Sequence, residues 1–216
     1  MRRAIIAAVL LALFLCTGCS YSVKLDPNID PTANISNKID YDVGVFVPQS
    51  VKKARIADSS DWAHKYTFEI GEAVDAIVCK SLARVFAGTV LLDANPTEVM
   101  IAESDLDAAV VVKLSAANVA INKKEGFFQN DADGSAHISV QLTFYDEEML
   151  EIGVVHASGS GVASEGLGPL TTGKDEYSTS VKHALRNLGD DLIHQIYGNY
   201  LIRKKAEEMA TVEGMS

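Results

Sequence analysis

Several residue groups in this chain have the types and spacing of reactive sites, and most of them miss one requirement of the chemistry. Gly168-Pro169-Leu170-Thr171-Thr172-Gly173-Lys174 fits the G-x-x-x-x-G-K of a phosphate loop. A nucleotide site needs Ser or Thr next to hold magnesium, and Asp175 stands there. Pro169 also removes an N–H from a loop whose work is donating such groups to phosphate. No nucleotide is expected; the segment reads as a flexible loop, with Asp175 or a neighbour capping the next helix. Asp131, Asp133 and Gly134 look like the start of a calcium loop but lack the later acidic ligand, so they predict a hairpin turn. His183 and His194 share a helical face, yet no third metal ligand is near them in sequence. Glu147 and Glu148 are adjacent and would diverge on a strand, which does not suit a catalytic carboxylate pair. No nucleophile–base pair can be recognised. The expectation is a protein that is not an enzyme, with no cofactor and no metal.

The cysteines are more informative. Arg2 and Arg3 precede about a dozen apolar residues, Ala4 to Leu15, too short a run for a comfortable membrane span but right for a cleaved export signal. The run closes on Cys16-Thr17-Gly18-Cys19. This segment resembles the lipobox of bacterial lipoproteins, whose usual form is Leu, a small residue, Gly or Ala, then Cys. Thr17, Gly18 and Cys19 match, and Cys16 stands where Leu is usual. The resemblance implies that the Cys19 thiol receives diacylglycerol and that its freed amine is then acylated. Several acyl chains make an essentially permanent anchor, whereas one alone is marginal. Ser20 follows the cysteine, which by the same resemblance implies sorting to the outer membrane, facing the periplasm. With Cys16 removed and Cys19 acylated, Cys79 has no intramolecular disulfide partner and reads as a small core residue on a helix.

Other residues suggest contact rather than reaction. Phe127 and Phe128 follow Gly126 beside the expected turn, so one ring would point outward and could touch a partner or membrane. Lys52, Lys53 and Arg55 form the main basic cluster, a solvated loop or a contact for an anionic partner. Trp62, His64 and Tyr66 at two-residue spacing either pack against the following helix or mark a sugar or partner site. The chain carries 29 acidic against 19 basic residues, net −10 over 216. That charge repels phosphate backbones, so nucleic acid is not expected as a partner.

The elements that must position these residues follow from periodicity. Residues 1–18 read as the signal peptide and 19–40, rich in Asn, Asp and Pro, as a lipidated N-terminus and flexible tether. A single α+β domain is expected over 41–205, with a polar tail at 206–216. Its first strand is Tyr41–Pro48. A helix carries Ile70, Val74, Ile77, Val78, Leu82, Val85 and Phe86 at three- and four-residue steps, with Gly88 placed to end it. Strands at 89–93, 108–121, 137–144 and 152–157 follow, the last three as an antiparallel meander, with a short helix near 97–104. One long helix over 176–209, weakened at Gly189 and Gly198, ends in a charged segment expected to project. The fold class is α+β, a mixed, mostly antiparallel sheet with two long helices packed on one face.

This order of elements is similar to small envelope lipoproteins, such as the auxiliary lipoproteins of lipid-transporting ABC systems and the YajG-like lipoproteins. The resemblance implies a lipid-anchored periplasmic accessory protein that binds a protein partner in an envelope assembly or transport complex. A carrier of lipid or glycan in a cleft between helices and sheet is the alternative, and an envelope hydrolase comes third.

Overall fold

The computed structural model describes residues 19–58, 64–125, 130–167 and 174–213. Its strands are β1 (Cys19–Lys24), β2 (Ile39–Phe46), β3 (Arg55–Asp58), β4 (His64–Glu69), β5 (Phe86–Leu92), β6 (Ala108–Glu125), β7 (Asn130–Asp146) and β8 (Glu151–Leu167). Its helices are α1 (Gln49–Lys52), α2 (Gly71–Val85), α3 (Glu98–Glu103), α4 (Lys174–Tyr197) and α5 (Tyr200–Glu213). The class is α+β, as the patterning predicts. The larger sheet has the order β5-β2-β6-β7-β8; its β5–β2 and β2–β6 pairs are parallel and its β6–β7 and β7–β8 pairs antiparallel.

Alternation builds this sheet. Ile138, Val140, Leu142 and Phe144 of β7 are all buried, with Val110 and Val112 of β6 beside them. They meet Ile77, Val78 and Leu82 of α2 and Leu185, Leu188 and Leu192 of α4 in one apolar cluster. A smaller cluster of Leu92, Ile101, Leu106 and Ala109 packs α3 near the end of β2.

The structure corrects the expected element map in several places. Asp131–Gly134 is not a turn but part of β7, paired with β6 and β8, so the hairpin arms run further than expected. The turn residues failed to break the strand because partners on both sides satisfy its backbone. Gly88 does not end the helix: α2 stops at Val85 and β5 starts at once at Phe86, leaving Gly88 in the strand. The long C-terminal helix is two helices, divided at Gly198 and Asn199, and the Asn199 side chain accepts from the Leu201 amide at 3.0 Å to start the second. The charged end is not a projecting polar tail. Ile202 and Ala206 are buried in the main cluster, and Lys205 reaches Asp146 at 3.3 Å. Asp175 lies within α4, and the residues before Lys174, where a capping neighbour would stand, lie outside the described residues.

The largest departure concerns residues 19–40. They form no flexible tether. β1 pairs in parallel with β4, and with β3 antiparallel to β4 on the other side they make a second, three-stranded sheet in the order β1-β4-β3. Its apolar residues are sparse and separated by Asp, Asn and Pro, which hides them from a search for periodicity. Each is nevertheless placed to be covered: Val23, Leu25 and Ile29 are buried in the same cluster as the helices.

Candidate functional site

Cys19 lies in β1, and its backbone stands opposite His64 of β4. The register continues through Tyr21 opposite Tyr66 to Lys24 opposite Glu69. Beyond the strand the chain is strapped across α2 and α4. The Lys80 ammonium pairs with Asp30 at 2.9 Å and donates to the Ile29 carbonyl at 3.2 Å. Arg84 donates to the Ala33 carbonyl at 2.8 Å. Asp190 of α4 accepts from the Thr32 amide, the Thr32 hydroxyl and the Ala33 amide, the last at 2.7 Å. Burial pushes the Asp190 carboxyl up, but the bonds from Thr32 and Ala33 and the charge of His194 outweigh it, and the net shift is below the usual carboxylate range. Gly189 makes the approach feasible: a Cβ there would lie 2.8 Å from Ile77 and 3.0 Å from Pro31. The Ser81 hydroxyl donates to the Ile77 carbonyl at 2.7 Å and lies 3.2 Å from the Gly189 carbonyl, tying the two helices together under the strap.

At the far end of β1 is an open cleft of about 470 Å³ lined by Lys24, Lys52, Lys53, Arg55, Glu69 and Glu72. This is the basic cluster noted in the sequence, and folding gives most of it partners. Lys24 meets Glu72 at 2.9 Å, Arg55 meets Glu69 at 3.1 Å and Lys52 lies 3.8 Å from Asp75. The hydrogen bond and charge of Glu72 hold the Lys24 ammonium above its usual range. A second cleft, about 530 Å³, is acidic: Glu98, Asp105, Asp107, Glu147 and Glu148 line it with Ile101 and Leu106. Burial raises the Asp107 carboxyl; the Asp42 amide, 2.7 Å from Asp107 Oδ2, opposes this, and the charges of Asp42, Asp105 and Asp40 reinforce it. Among the described residues, neither set of lining residues includes a serine, cysteine or histidine.

The remaining residues singled out from sequence are scattered. Phe127, Phe128, Trp62 and the Gly168–Gly173 stretch of the phosphate-loop pattern lie outside the described residues. Tyr66 is buried, and His64 opens β4. Cys79 is half-buried at the edge of the core, 3.5 Å from Asp75, and burial with the Asp75 charge pushes its thiol up to about 12. His183 faces the Val162 carbonyl at 3.3 Å. Glu147 and Glu148 flank the β7–β8 turn, where the Asp146 carboxylate accepts from the Glu148 and Leu150 amides. Exposed apolar side chains lie elsewhere: Val90 and Leu91 on the outer strand β5, and Tyr200 and Leu201 at the start of α5. Sequence reasoning missed Asp190 and the strap. The available signal was a Gly-Asp pair set into the apolar stripe of a helix, where a small residue marks a close crossing.

Among the described residues no helix is long and apolar enough to cross a membrane. No family model matches the chain, and no curated protein matches it by sequence. Among solved structures, a minor lipoprotein from Acinetobacter baumannii is 11% identical over 76% of this chain and 95% of its own, with a TM-score of 0.41. Protein XCC0632 from Xanthomonas campestris, described under the family model DUF330, is 10% identical over 88% of this chain and 99% of its own, with a TM-score of 0.50. At such identity a likeness speaks of architecture alone: this chain is similar in fold to the Xanthomonas protein along nearly the whole of both.

Proposed function

We propose that this chain is a bacterial lipoprotein, acylated at Cys19 and held at the outer membrane on the periplasmic side, where it serves an envelope complex by binding a protein partner. One observation carries the reading: Cys16-Thr17-Gly18-Cys19 closes the export-signal pattern, and the backbone of Cys19 is already part of the fold, paired with His64 of β4. A signal cut before Cys19 removes none of β1 to α5. A binding role is supported by the first cleft, whose Lys24 and Arg55 are engaged by Glu72 and Glu69. The alternative, a lipid or glycan carrier, needs an apolar cavity between helices and sheet. Ile77, Val78, Leu185 and Leu188, the side chains that would line it, are fully buried against one another and the sheet. Outer strand β5, with Val90 and Leu91 exposed, offers a partner apolar contact and a backbone edge that is unpaired among the described residues.

The anchor is tested by metabolic labelling with an alkyne-tagged fatty acid. Label is expected on the wild-type chain and none on Cys19→Ala; equal labelling of both would sink the assignment. Crosslinking in the envelope followed by mass spectrometry is expected to recover a protein partner. Recovery of a lipid with no protein would instead establish the carrier.

A further inference from the structure

The twenty-odd residues after an acylated cysteine would ordinarily decide how far a domain stands off its membrane. Here those residues are structural. Resting on the reading that Cys19 is acylated, we infer that the Cys19 end of the three-stranded sheet abuts the lipid head groups and that β1 is a rigid spacer of fixed length. The domain is thereby oriented on the bilayer rather than swinging from it.

The argument runs along the strand. Acyl chains on the Cys19 thiol and amine place that residue at the head-group level. No residue separates it from the sheet, because its own backbone pairs with His64 in the β1–β4 ladder. A strand rises about 3.3 Å per residue, so Val23, 5% exposed, is roughly 13 Å from the anchor. Leu25, 2% exposed, follows, and the strap to Lys80, Arg84 and Asp190 holds the chain through Ala33. A disordered tether of twenty residues would instead have an r.m.s. span of about 25 Å and would impose no orientation. For this domain to leave the surface, β1 must separate from β4 and Val23 and Leu25 must leave the core.

The register then identifies which surface faces which way. Cys19 of β1 and His64 of β4 lie at the bilayer end, with Asp58 of β3 two rungs further out, opposite Tyr66. Lys24, Glu69 and Arg55 share the opposite end of the same sheet, roughly 16 Å out along β1. The cleft formed by these residues with Lys52, Lys53 and Glu72 therefore opens at a defined height above the lipid.

The test uses the full chain, exported and acylated in its envelope, then purified and reconstituted into vesicles of phosphatidylethanolamine and phosphatidylglycerol carrying a head-group nitroxide. With Cys79→Ser as the background, a single engineered cysteine is the site for a fluorophore. Ala57→Cys puts it on exposed backbone in register with Ser22, about 10 Å along the strand from Cys19. Lys53→Cys puts it beyond the other end of β3, also exposed. Nitroxide quenching is expected to be at least about twofold greater at 57 than at 53. A twenty-residue Gly-Ser insertion between Cys19 and Ser20, adding a span of about 25 Å, is expected to cut quenching at 57 about tenfold. Mass spectrometry of the same samples reads the acyl mass on Cys19. If Cys19 is acylated but quenching at 57 is no greater than at 53, or is unchanged by the insertion, the spacer is wrong and the anchor stands. If Cys19 carries no acyl mass, the anchor reading fails and takes this inference with it.

Discussion

Asp190 holds a segment 157 and 158 positions earlier in the chain, through the Ala33 amide and the amide and hydroxyl of Thr32. Replacing it with alanine leaves those donors to water or to nothing, and a loss of about 1–2 kcal/mol is expected in thermal or denaturant unfolding. The effect has a defined pH dependence. The folded carboxyl sits below its ordinary 3.8, so its contribution is fully present above that value and disappears as pH falls through the folded pKa. Melting curves of wild type and Asp190→Ala should therefore converge in acid; a gap that persists there would assign the effect to packing. Cys19 and Asp190 also mark the two extremes of legibility. The proposed role of Cys19 rests on the eighteen residues before it, whereas Asp190 is one more polar residue on a helix until its distant partner is known. Asp131, Asp133 and Gly134 show a third case, in which turn-forming residues were overruled by backbone pairing on both sides.

The elements meet through close approaches that the sequence marks with glycine. Gly159 and Gly161 of β8 face α4 so tightly that a Cβ would fall 1.9 Å from the Ala184 carbonyl oxygen or 2.0 Å from that of Ser180. Backbone cannot yield as a side-chain tip can, so Gly161→Ala is expected to cost about 3 kcal/mol. Val162→Ala, next to it but 64% exposed, should change stability by no more than about 0.5 kcal/mol, and urea titration of the pair checks the contrast. At the other helix, Asn199→Ala removes the acceptor for the Leu201 and Ile202 amides. A loss of about 1 kcal/mol is expected, with faster amide exchange confined to the first turns of α5. Strongly periodic elements were readable in advance: α2, the apolar core of β6 and the alternating half of β7. The small sheet was not, because a four-residue strand and two six-residue strands supply too few positions for a period to emerge. Nor was the break in the C-terminal helix, since Gly198 alone cannot say whether it bends a helix or ends one.

For the molecule as a whole, the acidic balance and the export pattern constrain where it works better than what it meets. Replacing Cys19 by alanine should release the chain from the membrane fraction without unfolding it, since the β1–β4 ladder is made by backbone and the strap is held at Asp30, Thr32 and Ala33. Fractionation and circular dichroism of the same sample check both halves of that statement. The strap has a kinetic consequence as well. Its hydrogen bonds to Asp190 span most of the chain, and the Lys80 and Arg84 contacts add spans of about fifty residues. Contacts of such separation form late, because the entropy of closing the loop is spent before they return anything. The segment nearest the N-terminus of the described chain is thus among the last to be fixed, and it cannot be secured until α4 is available. Pulse-labelled hydrogen exchange should find the amides of Val23 to Ala33 acquiring protection after those of β6 and β7, and a chain stopped before Lys174 should leave them open. During that interval the spacer is unmade, and a nascent chain already fastened by its lipid would pass through a loose, freely pivoting stage before it settles upright.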